Sequence, residues 1–429
     1  MSAERVTATY LIETPHRLGH AAAVLAGEQS SGTFVAVPGE SIELKEKYGA
    51  RVERIDELES VQQPSLPGST PPKATGSSVV YSRGRVVVSF PLHNFGPSLS
   101  SLLSTVAGNL FELQELSGVR LEDLDLPEAF ARRYPGPAFG VEGTRRVADV
   151  QGRALVGTIV KPSIGLSIEA LRPLVRDLAT AGLDFIKDDE LCADPPYAPF
   201  EQRAAAVLDE IQRVADKTGK RSLYALNITG DIDHMLRSHD IVRDLGGTCV
   251  MVNINAVGIA AVAHLRQHCE LPIHGHRAMF GAFARDPWLG LGFPAFQKIC
   301  RTAGVDHLHV GGFNGKFYES NAEVAQSIRD CLTPLYGDYS EYGDYCVMPV
   351  ISSAQWAGSA VDIYGATGAT DVLHLAGGGI IAHPDGIAAG VRSMQQGWEA
   401  AITGVPLTDH AKTRPELKAA IDKFGKHSG

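Results

Sequence analysis

The chain has 429 residues and a formal net charge of −10 at pH 7. An acidic chain without a run of lysine and arginine is a poor match for phosphodiester backbones, so we expect no nucleic-acid partner. The sequence has no apolar run of about eighteen residues and no charged-then-apolar leader, which predicts neither membrane insertion nor secretion. Its six cysteines form no C-x-x-C pair, a pattern typical of reduced core thiols in a cytoplasmic protein.

Residues 1–140 predict a smaller α+β domain, since a region of this length can enclose its own core. Its alternating strand and helix patterns lie, in chain order, at 6–12, 20–25, 86–90 and 97–107. Residues 63–78 are rich in proline, serine, glycine and threonine. We interpret that segment as a mobile hairpin connection or an insertion.

Residues 141–429 predict a (β/α)8 TIM barrel. Short apolar runs that end in polar or glycine residues recur eight times: at 155–160, 183–186, 223–226, 249–252, 271–273, 307–308, 347–351 and 372–375. Helical patterns such as 168–180, 199–218 and 321–333 separate them. Eight strand–helix units over about 250 residues suffice for this fold, in which the carboxyl ends of the strands carry the active site.

The segment 182–190 carries the strongest chemical signal, because a buried strand ends there in a lysine and three carboxylates. Strand alternation predicts that Lys187 and Asp189 share a face while Asp188 points away and Glu190 enters the loop. Carboxylate oxygens suit Mg²⁺ better than Zn²⁺. A lysine can join such a shell only after it loses its charge, for instance as a CO2-derived carbamate. The alternative is an internal salt bridge of Lys187 on the barrel wall.

The other strand ends support a site. Lysines, histidines, an arginine, carboxylates and a glycine run all fall on the same predicted face, and a purely structural barrel has little reason to collect them there. We therefore expect the active site at this end.

The chain resembles the ribulose-bisphosphate carboxylase (RuBisCO) superfamily over nearly its whole length. Residues 182–190 look like the family's metal-site signature, and 158–167 (TIVKPSIGLS) is similar to its first-strand motif. The resemblance implies that a carbamylated Lys187 holds one Mg²⁺ together with Asp189 and Glu190. It also implies that Lys161 handles a proton during enolisation.

Further motifs follow in the order that the fold requires. Residues 274–279 (HGHRAM) resemble the fifth-strand motif, in which His276 faces the reacting carbons. Residues 309–316 keep the spacing of a mobile loop that closes over the substrate and delivers Lys316. The resemblance implies two anion grips: Arg277, His309 and Ser352 at one end, and Gly377, Gly378, Gly379, Thr33 and Lys316 at the other.

The N-terminal region adds candidates that act across subunits. Residues 28–34 and 108–111 look like segments that family members donate to a neighbouring subunit's site. Glu28, Thr33 and Asn109 are therefore expected to complete the site of a homodimer, or of a higher oligomer with the same sharing.

Three departures from the carboxylating pattern affect the expected activity. Ser163 replaces a second lysine, Phe280 replaces a usual histidine, and Ser353-Ala354 replaces a Gly-Gly pair. Each lost charge-assisted contact in a dry site removes roughly 1.5–3 kcal/mol. We therefore expect a RuBisCO-like protein that does not fix CO2 productively.

Arg277, His309 and Ser352 suggest a substrate with two anionic ends. Within the superfamily, 3-oxo-isoapionate 4-phosphate of apiose catabolism fits, by decarboxylation or by transcarboxylation with hydrolysis. Two alternatives stay open. One is the 2,3-diketo-5-methylthiopentyl-1-phosphate enolase of methionine salvage, or a related isomerase, which the chain resembles at 136–140 and 223–227. The other is a non-catalytic barrel with a binding or regulatory role.

Overall fold

The computed structural model describes residues 4–32, 37–72, 79–337 and 341–425. Its strands are β1 (Arg5–Thr14), β2 (Arg51–Glu57), β3 (Ser82–Pro91), β4 (Gly118–Asp125), β5 (Leu155–Ile159), β6 (Phe185–Lys187), β7 (Leu223–Asn227), β8 (Cys249–Asn253), β9 (Ile273–His276), β10 (Leu289–Leu291), β11 (His307–Gly311), β12 (Met348–Ile351) and β13 (Leu373–Leu375).

The α-helices are α1 (Leu18–Glu28), α2 (Ile42–Tyr48), α3 (Leu99–Val106), α4 (Ala129–Arg133), α5 (Gly140–Ala148), α6 (Ile168–Thr180), α7 (Phe200–Thr218), α8 (Ile232–Asp244), α9 (Ile254–Val257), α10 (Ile259–His268), α11 (Phe280–Ala284), α12 (Phe293–Ala303), α13 (Asn321–Leu332), α14 (Ser359–Thr367), α15 (Gly377–Ile381), α16 (Ile387–Thr403), α17 (Leu407–His410) and α18 (Pro415–Phe424). Short 3₁₀ turns occupy Leu92–Asn94, Asn109–Glu112 and Ala411–Thr413. Within these described stretches, no helix combines the length and the hydropathy that a bilayer crossing requires.

The chain divides into two compact units. The first contains residues 1–135 and 279–302, and the second contains 136–278 and 303–429. The fold class predicted from the sequence is confirmed, because a smaller mixed-sheet domain precedes a closed barrel of eight strands.

The first unit is built on a five-stranded sheet in the order β10-β4-β1-β3-β2. Alternate residues of β1 are buried, among them Val6, Tyr10 and Ile12, as the period of two predicts. Strands β2 and β3 pair antiparallel, and residues 73–78 of the segment that joins them lie outside the described residues. In its described part, the Leu66 and Thr70 amides donate to carbonyls at 117 and 114.

Residues 279–302 join the N-terminal sheet, which the sequence pattern does not anticipate. Strand β10 pairs in parallel with β4 along Leu289–Leu291. The middle residue of this strand must be glycine, because at Gly290 φ is +92° and a Cβ would overlap the Phe283 carbonyl oxygen. A three-residue strand with a distant partner leaves almost no local periodicity to detect.

The second unit is a closed barrel in the order β11-β12-β13-β5-β6-β7-β8-β9. All eight apolar runs predicted as strands are strands of this barrel. One hydrophobic cluster draws residues from six of these strands, among them Leu155, Phe185, Leu223, Met251, Met348 and Leu375. Every strand pair in the barrel is parallel, so the carboxyl ends of all eight strands lie on one face.

Helix caps set where the loops on that face end. Ser167 caps α6 through a bond from the Ala170 amide. Ser320 and Glu323 form a reciprocal capping box at α13. The loop 312–320 therefore runs from the end of β11 to a fixed helix start.

Candidate active site

Lys187 is the last residue of β6, and its side chain is fully buried. Its Nζ donates to the Asp188 carbonyl oxygen at 2.7 Å and lies 3.5 Å from Glu190 Oε2. Burial lowers the pKa of Lys187, and the negative charge of Glu190 opposes that shift. A neutral lysine is the form that can react with CO2.

Asp188 points to the opposite side of β6, as the alternation predicts. Its carboxylate lies 3.3 Å from Arg203 Nη2 and accepts from the Tyr224 hydroxyl and the Asn227 amide at 2.7 and 2.9 Å. Asp188 therefore anchors the barrel wall to α7 and β7. Asp188 thus forms a salt bridge with Arg203 on the barrel wall, and Lys187 forms a separate one with Glu190.

Two asparagines that end the neighbouring strands hold the backbone of the carboxylate pair. Asn227 Nδ2 donates to the Asp189 and Glu190 carbonyls, and Asn253 Nδ2 donates to the Glu190 carbonyl at 2.9 Å. Among the described residues, the buried Asn253 Oδ1 has no hydrogen-bond partner. The sequence placed both asparagines at strand ends but gave no sign of this role.

Lys161 follows β5 and reaches the same cluster. Its Nζ donates to Ser163 Oγ and to Asp189 Oδ2, both at 2.7 Å. Ser163 also lines a small pocket with Asp189 and Tyr197. The structure therefore brings together Lys161, Lys187, Asp189 and Glu190 at one barrel end, as the sequence predicts.

The donor set fits a hard divalent cation. Asp189 and Glu190 supply carboxylates, a carbamate on Lys187 would add a third oxygen donor, and the unpaired Asn253 Oδ1 adds a polar acceptor from the next strand. Oxygen-only donors of this kind favour Mg²⁺ over softer metals.

A separate group of potential ligands lies on α8 and α10. His239, Asp240 and His268 place one ligand atom each within 4.8 Å of one another. His239 Nε2 accepts from the Glu270 amide, so in the neutral ring Nδ1 carries the proton and donates to Asp240. That proton occupies the position that a metal would need, so the group joins two helices by hydrogen bonds.

His276 lies between the carboxylates and the remaining histidines. Its Nε2 is 3.5 Å from Glu190 Oε2, and its ring centroid is 4.4 Å from that of His309. Its Nδ1 accepts from the Ala278 amide at 3.2 Å, which leaves Nε2 as the protonated nitrogen of the neutral ring. Burial lowers the pKa of His276 well below its usual value, so it faces the site as a neutral donor.

Arg277, expected to bind an anion, forms an ion pair with Glu319. Arg277 Nη2 lies 2.6 Å from Glu319 Oε2, and both side chains are about nine-tenths buried. The pair packs against Gly311, where φ is +106° and a Cβ would lie 3.0 Å from the carboxylate. Sequence reasoning missed Glu319, because an acid in a loop has no signature of its partner.

His309 and Ser352 are in direct contact. His309 Nδ1 lies 3.1 Å from Ser352 Oγ, and the Ser352 amide donates to the Gly311 carbonyl. Burial lowers the pKa of His309 well below its usual value.

The loop that carries Lys316 is exposed at residues 316–318 and is tied to the loop after β12. Lys316 Nζ lies 5.5 Å from the Phe317 ring centroid. The Lys316 amide donates to Ser353 Oγ at 3.2 Å. Gly312 allows the two loops to touch, because a Cβ there would overlap the Ser352 carbonyl oxygen.

Ser353 and Ala354 adopt left-handed backbone conformations, with φ values of 83° and 54°. These are the two positions at which the carboxylating pattern has glycines. The loop therefore has a backbone conformation that favours glycine, although neither residue is glycine. For each of them the left-handed conformation costs roughly 1–2 kcal/mol.

Gly377, Gly378 and Gly379 form the first turn of α15, where backbone amides lack intrahelical acceptors. Gly377 lies beside the Lys161 side chain, and the space around Gly378 is open. At Gly379 a Cβ would meet the Gln355 carbonyl oxygen at 2.5 Å, so this glycine is needed for packing.

The candidates of the N-terminal unit lie together. Glu28 ends α1 and Asn109 begins a 3₁₀ turn, and both are exposed. Gln29 links them: its side chain accepts from the Asn109 amide and donates to the Ser104 and Thr105 carbonyls. Thr33 lies outside the described residues. The participation of these residues in a partner's site stays a prediction.

Comparisons with known proteins identify the family of the chain. Residues 140–424 match the ribulose bisphosphate carboxylase large chain, catalytic domain, and residues 3–130 match its N-terminal domain. A rubisco-like protein of Burkholderia fungorum superimposes with a TM-score of 0.90 at 44% identity, covering 98% of this chain and 100% of its own.

Two curated relatives cover the chain almost completely. The 3-oxo-isoapionate-4-phosphate transcarboxylase/hydrolase of Xanthobacter autotrophicus is 48% identical over 97% of this chain and 99% of its own. The 3-oxo-isoapionate-4-phosphate decarboxylase of Rhizobium etli is 42% identical over 99% of this chain and 100% of its own. The chain belongs to the ribulose bisphosphate carboxylase large-chain family.

Proposed function

We propose that this protein is a Mg²⁺-dependent RuBisCO-like enzyme that acts on a phosphorylated sugar acid and does not fix CO2. The proposed substrate is 3-oxo-isoapionate 4-phosphate, the compound in the names of the relatives. The reaction is its decarboxylation, or the transfer of its carboxylate with hydrolysis. The observation that carries the proposal is the contact of Lys161 with Asp189, beside Lys187 and Glu190.

Carbamylated Lys187, Asp189 and Glu190 are the proposed Mg²⁺ ligands. When bound, the ion would stabilise negative charge that develops on substrate oxygens. The protein prepares this position through Asn227 and Asn253, whose amides fix the backbone of residues 189–190. Ligands held in this way need little rearrangement before catalysis.

Lys161 is the proposed proton donor. Loss of CO2 breaks a carbon–carbon bond and leaves its electron pair on the substrate as an enediolate, and a proton from Lys161 Nζ to carbon completes the product. The Ser163 hydroxyl accepts one Nζ hydrogen at 2.7 Å and so orients the amine. The side chain is 41% exposed, which leaves the amine accessible to a substrate above the barrel.

Arg277 is the proposed contact for one anionic end of the substrate, with His309 and Ser352 as further substrate-binding residues at that end. The guanidinium has five N–H donors, and Glu319 accepts at one nitrogen, Nη2. A carboxylate or phosphate can therefore be bound in place of Glu319. The second end is assigned to the amides of Gly377 and Gly378, with Lys316 delivered by its loop and Thr33 and Asn109 from a partner subunit.

One observation favours the alternative enolase function. Glu319 already neutralises Arg277, which is what a substrate with a single anion would require at this position. The 2,3-diketo-5-methylthiopentyl-1-phosphate substrate of methionine salvage has only one anionic end.

Substrate profiling in Mg²⁺ and bicarbonate separates these functions. We expect turnover of 3-oxo-isoapionate 4-phosphate, with deuterium in the product when the reaction is run in D2O. Lys161→Ala should lower turnover by about 10²–10⁴-fold, the usual contribution of a positioned acid or base. The exposed Lys412→Ala serves as the control lysine variant.

Two results would reject the proposal. Efficient turnover of the one-phosphate diketone alone would favour the enolase. Labelled CO2 entering phosphoglycerate from ribulose bisphosphate at a comparable rate would show that Ser163, Ser353 and Ala354 do not prevent carboxylation.

A further inference from the structure

A row of buried hydrogen-bonding side chains runs through the barrel to the candidate site. Thr144 Oγ1 lies 2.9 Å from His307 Nε2, and His307 Nδ1 lies 3.3 Å from His274 Nδ1. His274 Nε2 lies 2.8 Å from His309 Nε2, and His309 Nδ1 lies 3.1 Å from Ser352 Oγ. Thr144 and all three imidazoles are at least 96% buried.

The apolar surroundings of this row favour neutral imidazoles. The ring of Phe185 packs against His274 and His307, with centroids 5.2 and 5.7 Å apart. Burial lowers the pKa of His307 to about 3 and that of His274 well below its usual value. A neutral imidazole has one N–H donor and one acceptor nitrogen. A ring that donates at one nitrogen must therefore accept at the other, so all hydrogen bonds of the row point in the same direction.

The Thr144 end fixes that direction. The Thr144 hydroxyl donates to the Gly140 carbonyl one turn earlier in α5, and it therefore accepts from His307 Nε2–H. His307 Nδ1 is then an acceptor, which makes His274 Nδ1 a donor.

The hydrogen bonds keep this direction from His274 to the site. His274 Nε2 must accept, so His309 Nε2 carries the proton and His309 Nδ1 accepts from the Ser352 hydroxyl. In this order Ser352 directs lone pairs, and not its proton, toward a ligand.

We infer that Thr144, His307 and His274 are positioning residues that fix the tautomer of His309 and thereby make Ser352 an acceptor toward the substrate. The row has one other self-consistent order, in which Thr144 donates to His307, every ring changes tautomer and Ser352 donates outward. Only the first order keeps the bond from Thr144 to Gly140. An acceptor at Ser352 favours a substrate hydroxyl there, which leaves Arg277 as the main anion contact. This deepens the proposed function and rests on it for the identity of the ligand.

Imidazole ¹⁵N chemical shifts of histidine-labelled protein test the row without any substrate, because they distinguish protonated from unprotonated ring nitrogens. Wild type should show Nε2–H at His307 and His309 and Nδ1–H at His274, assigned from His274→Gln and His307→Gln. Thr144→Val removes the hydroxyl and should reverse all three tautomers together, while Thr144→Ser should keep them. Any other wild-type order, a protonated ring, or a change at His307 alone in Thr144→Val would overturn the inference.

A second variant keeps the test usable if Thr144→Val does not fold. Ser352→Ala removes the far end of the row but leaves the Thr144 anchor, so the three tautomers should stay as in wild type. Reversal in Ser352→Ala would show that the direction is set from the site and would overturn the role of Thr144. Because these readings need no turnover, they stand even if the proposed substrate is wrong.

Discussion

The two sides of the barrel mouth differ in the charge of their side chains. On the β5–β6 side, Lys161 and Lys187 contact Asp189 and Glu190, so two amines and two carboxylates meet at short distances. On the β9–β12 side, the histidines are buried and their pKa values are lowered, and Glu319 neutralises Arg277.

This difference indicates a division of roles. Ionisable side chains that lie close together can change partners when a metal ion and CO2 bind, and catalysis requires such a change. Neutral groups with fixed hydrogen-bond directions suit the recognition of a substrate, since an unmatched buried polar group costs about 1–3 kcal/mol. Substitutions on each side can test the two roles separately.

The largest effect is expected at Lys187. Lys187→Ala should abolish turnover, because both the carbamate and the cation site depend on this side chain. Wild type incubated with Mg²⁺ and bicarbonate should be more active than CO2-stripped protein, and the variant should not respond. The Lys412→Ala control should behave as wild type. Equal activity of stripped and activated wild type would remove the carbamate from the mechanism.

The next effect concerns the Arg277–Glu319 pair. Arg277→Ala should weaken binding of a two-anion substrate by roughly 2–4 kcal/mol, since it leaves both the substrate anion and Glu319 unpaired. Glu319→Gln should lower KM about tenfold, or ~1.4 kcal/mol, by leaving the arginine charge to the substrate.

The double variant Arg277→Ala/Glu319→Gln shows whether the two residues act together. We expect it to bind the substrate better than Arg277→Ala alone, because the unpaired Glu319 carboxylate no longer repels the substrate anion. If Glu319→Gln raises KM as much as Arg277→Ala does, Glu319 supports the substrate instead of competing with it.

The buried histidines predict a dependence of stability on pH. Their pKa values are lowered in the folded protein, so the unfolded chain binds more protons at acidic pH. Stability should therefore fall as pH drops below the unfolded value of about 6.5, by ~1.4 kcal/mol per pH unit for each ring that stays neutral. For His307 this loss should continue to about pH 3.

Chemical denaturation between pH 5 and 7 measures this slope. His307→Gln should reduce it by close to one proton, and the exposed His264→Gln serves as the control histidine variant. A slope that does not respond to His307→Gln would mean that this ring is protonated in the folded protein.

The smallest effect is expected at the left-handed Ala354. Ala354→Gly should stabilise the protein by up to about 1 kcal/mol, because the strain of roughly 1–2 kcal/mol exceeds the entropy cost of glycine, about 0.5–1 kcal/mol. The control Ala366→Gly in α14 should destabilise by about 1 kcal/mol. If both variants destabilise equally under chemical denaturation, position 354 is not strained.

The sequence by itself determined the elements whose residues are periodic. The eight barrel strands and helices such as α6, α7 and α13 were predicted because burial of one face leaves a local pattern. The opposite orientations of Lys187 and Asp188 were predictable for the same reason, since neighbouring strand residues point to opposite faces.

Only the tertiary structure decided which distant residues became partners. Strand β10 joins β4, Glu319 pairs with Arg277, and Thr144 begins a row that ends at Ser352, over sequence separations that no local pattern encodes. The left-handed turn at Ser353 and Ala354 is likewise held by neighbouring loops against the preference of its own residues. The pair of Arg277 with Glu319 and the row from Thr144 to Ser352 follow from barrel closure, which brings together residues that lie far apart along the chain.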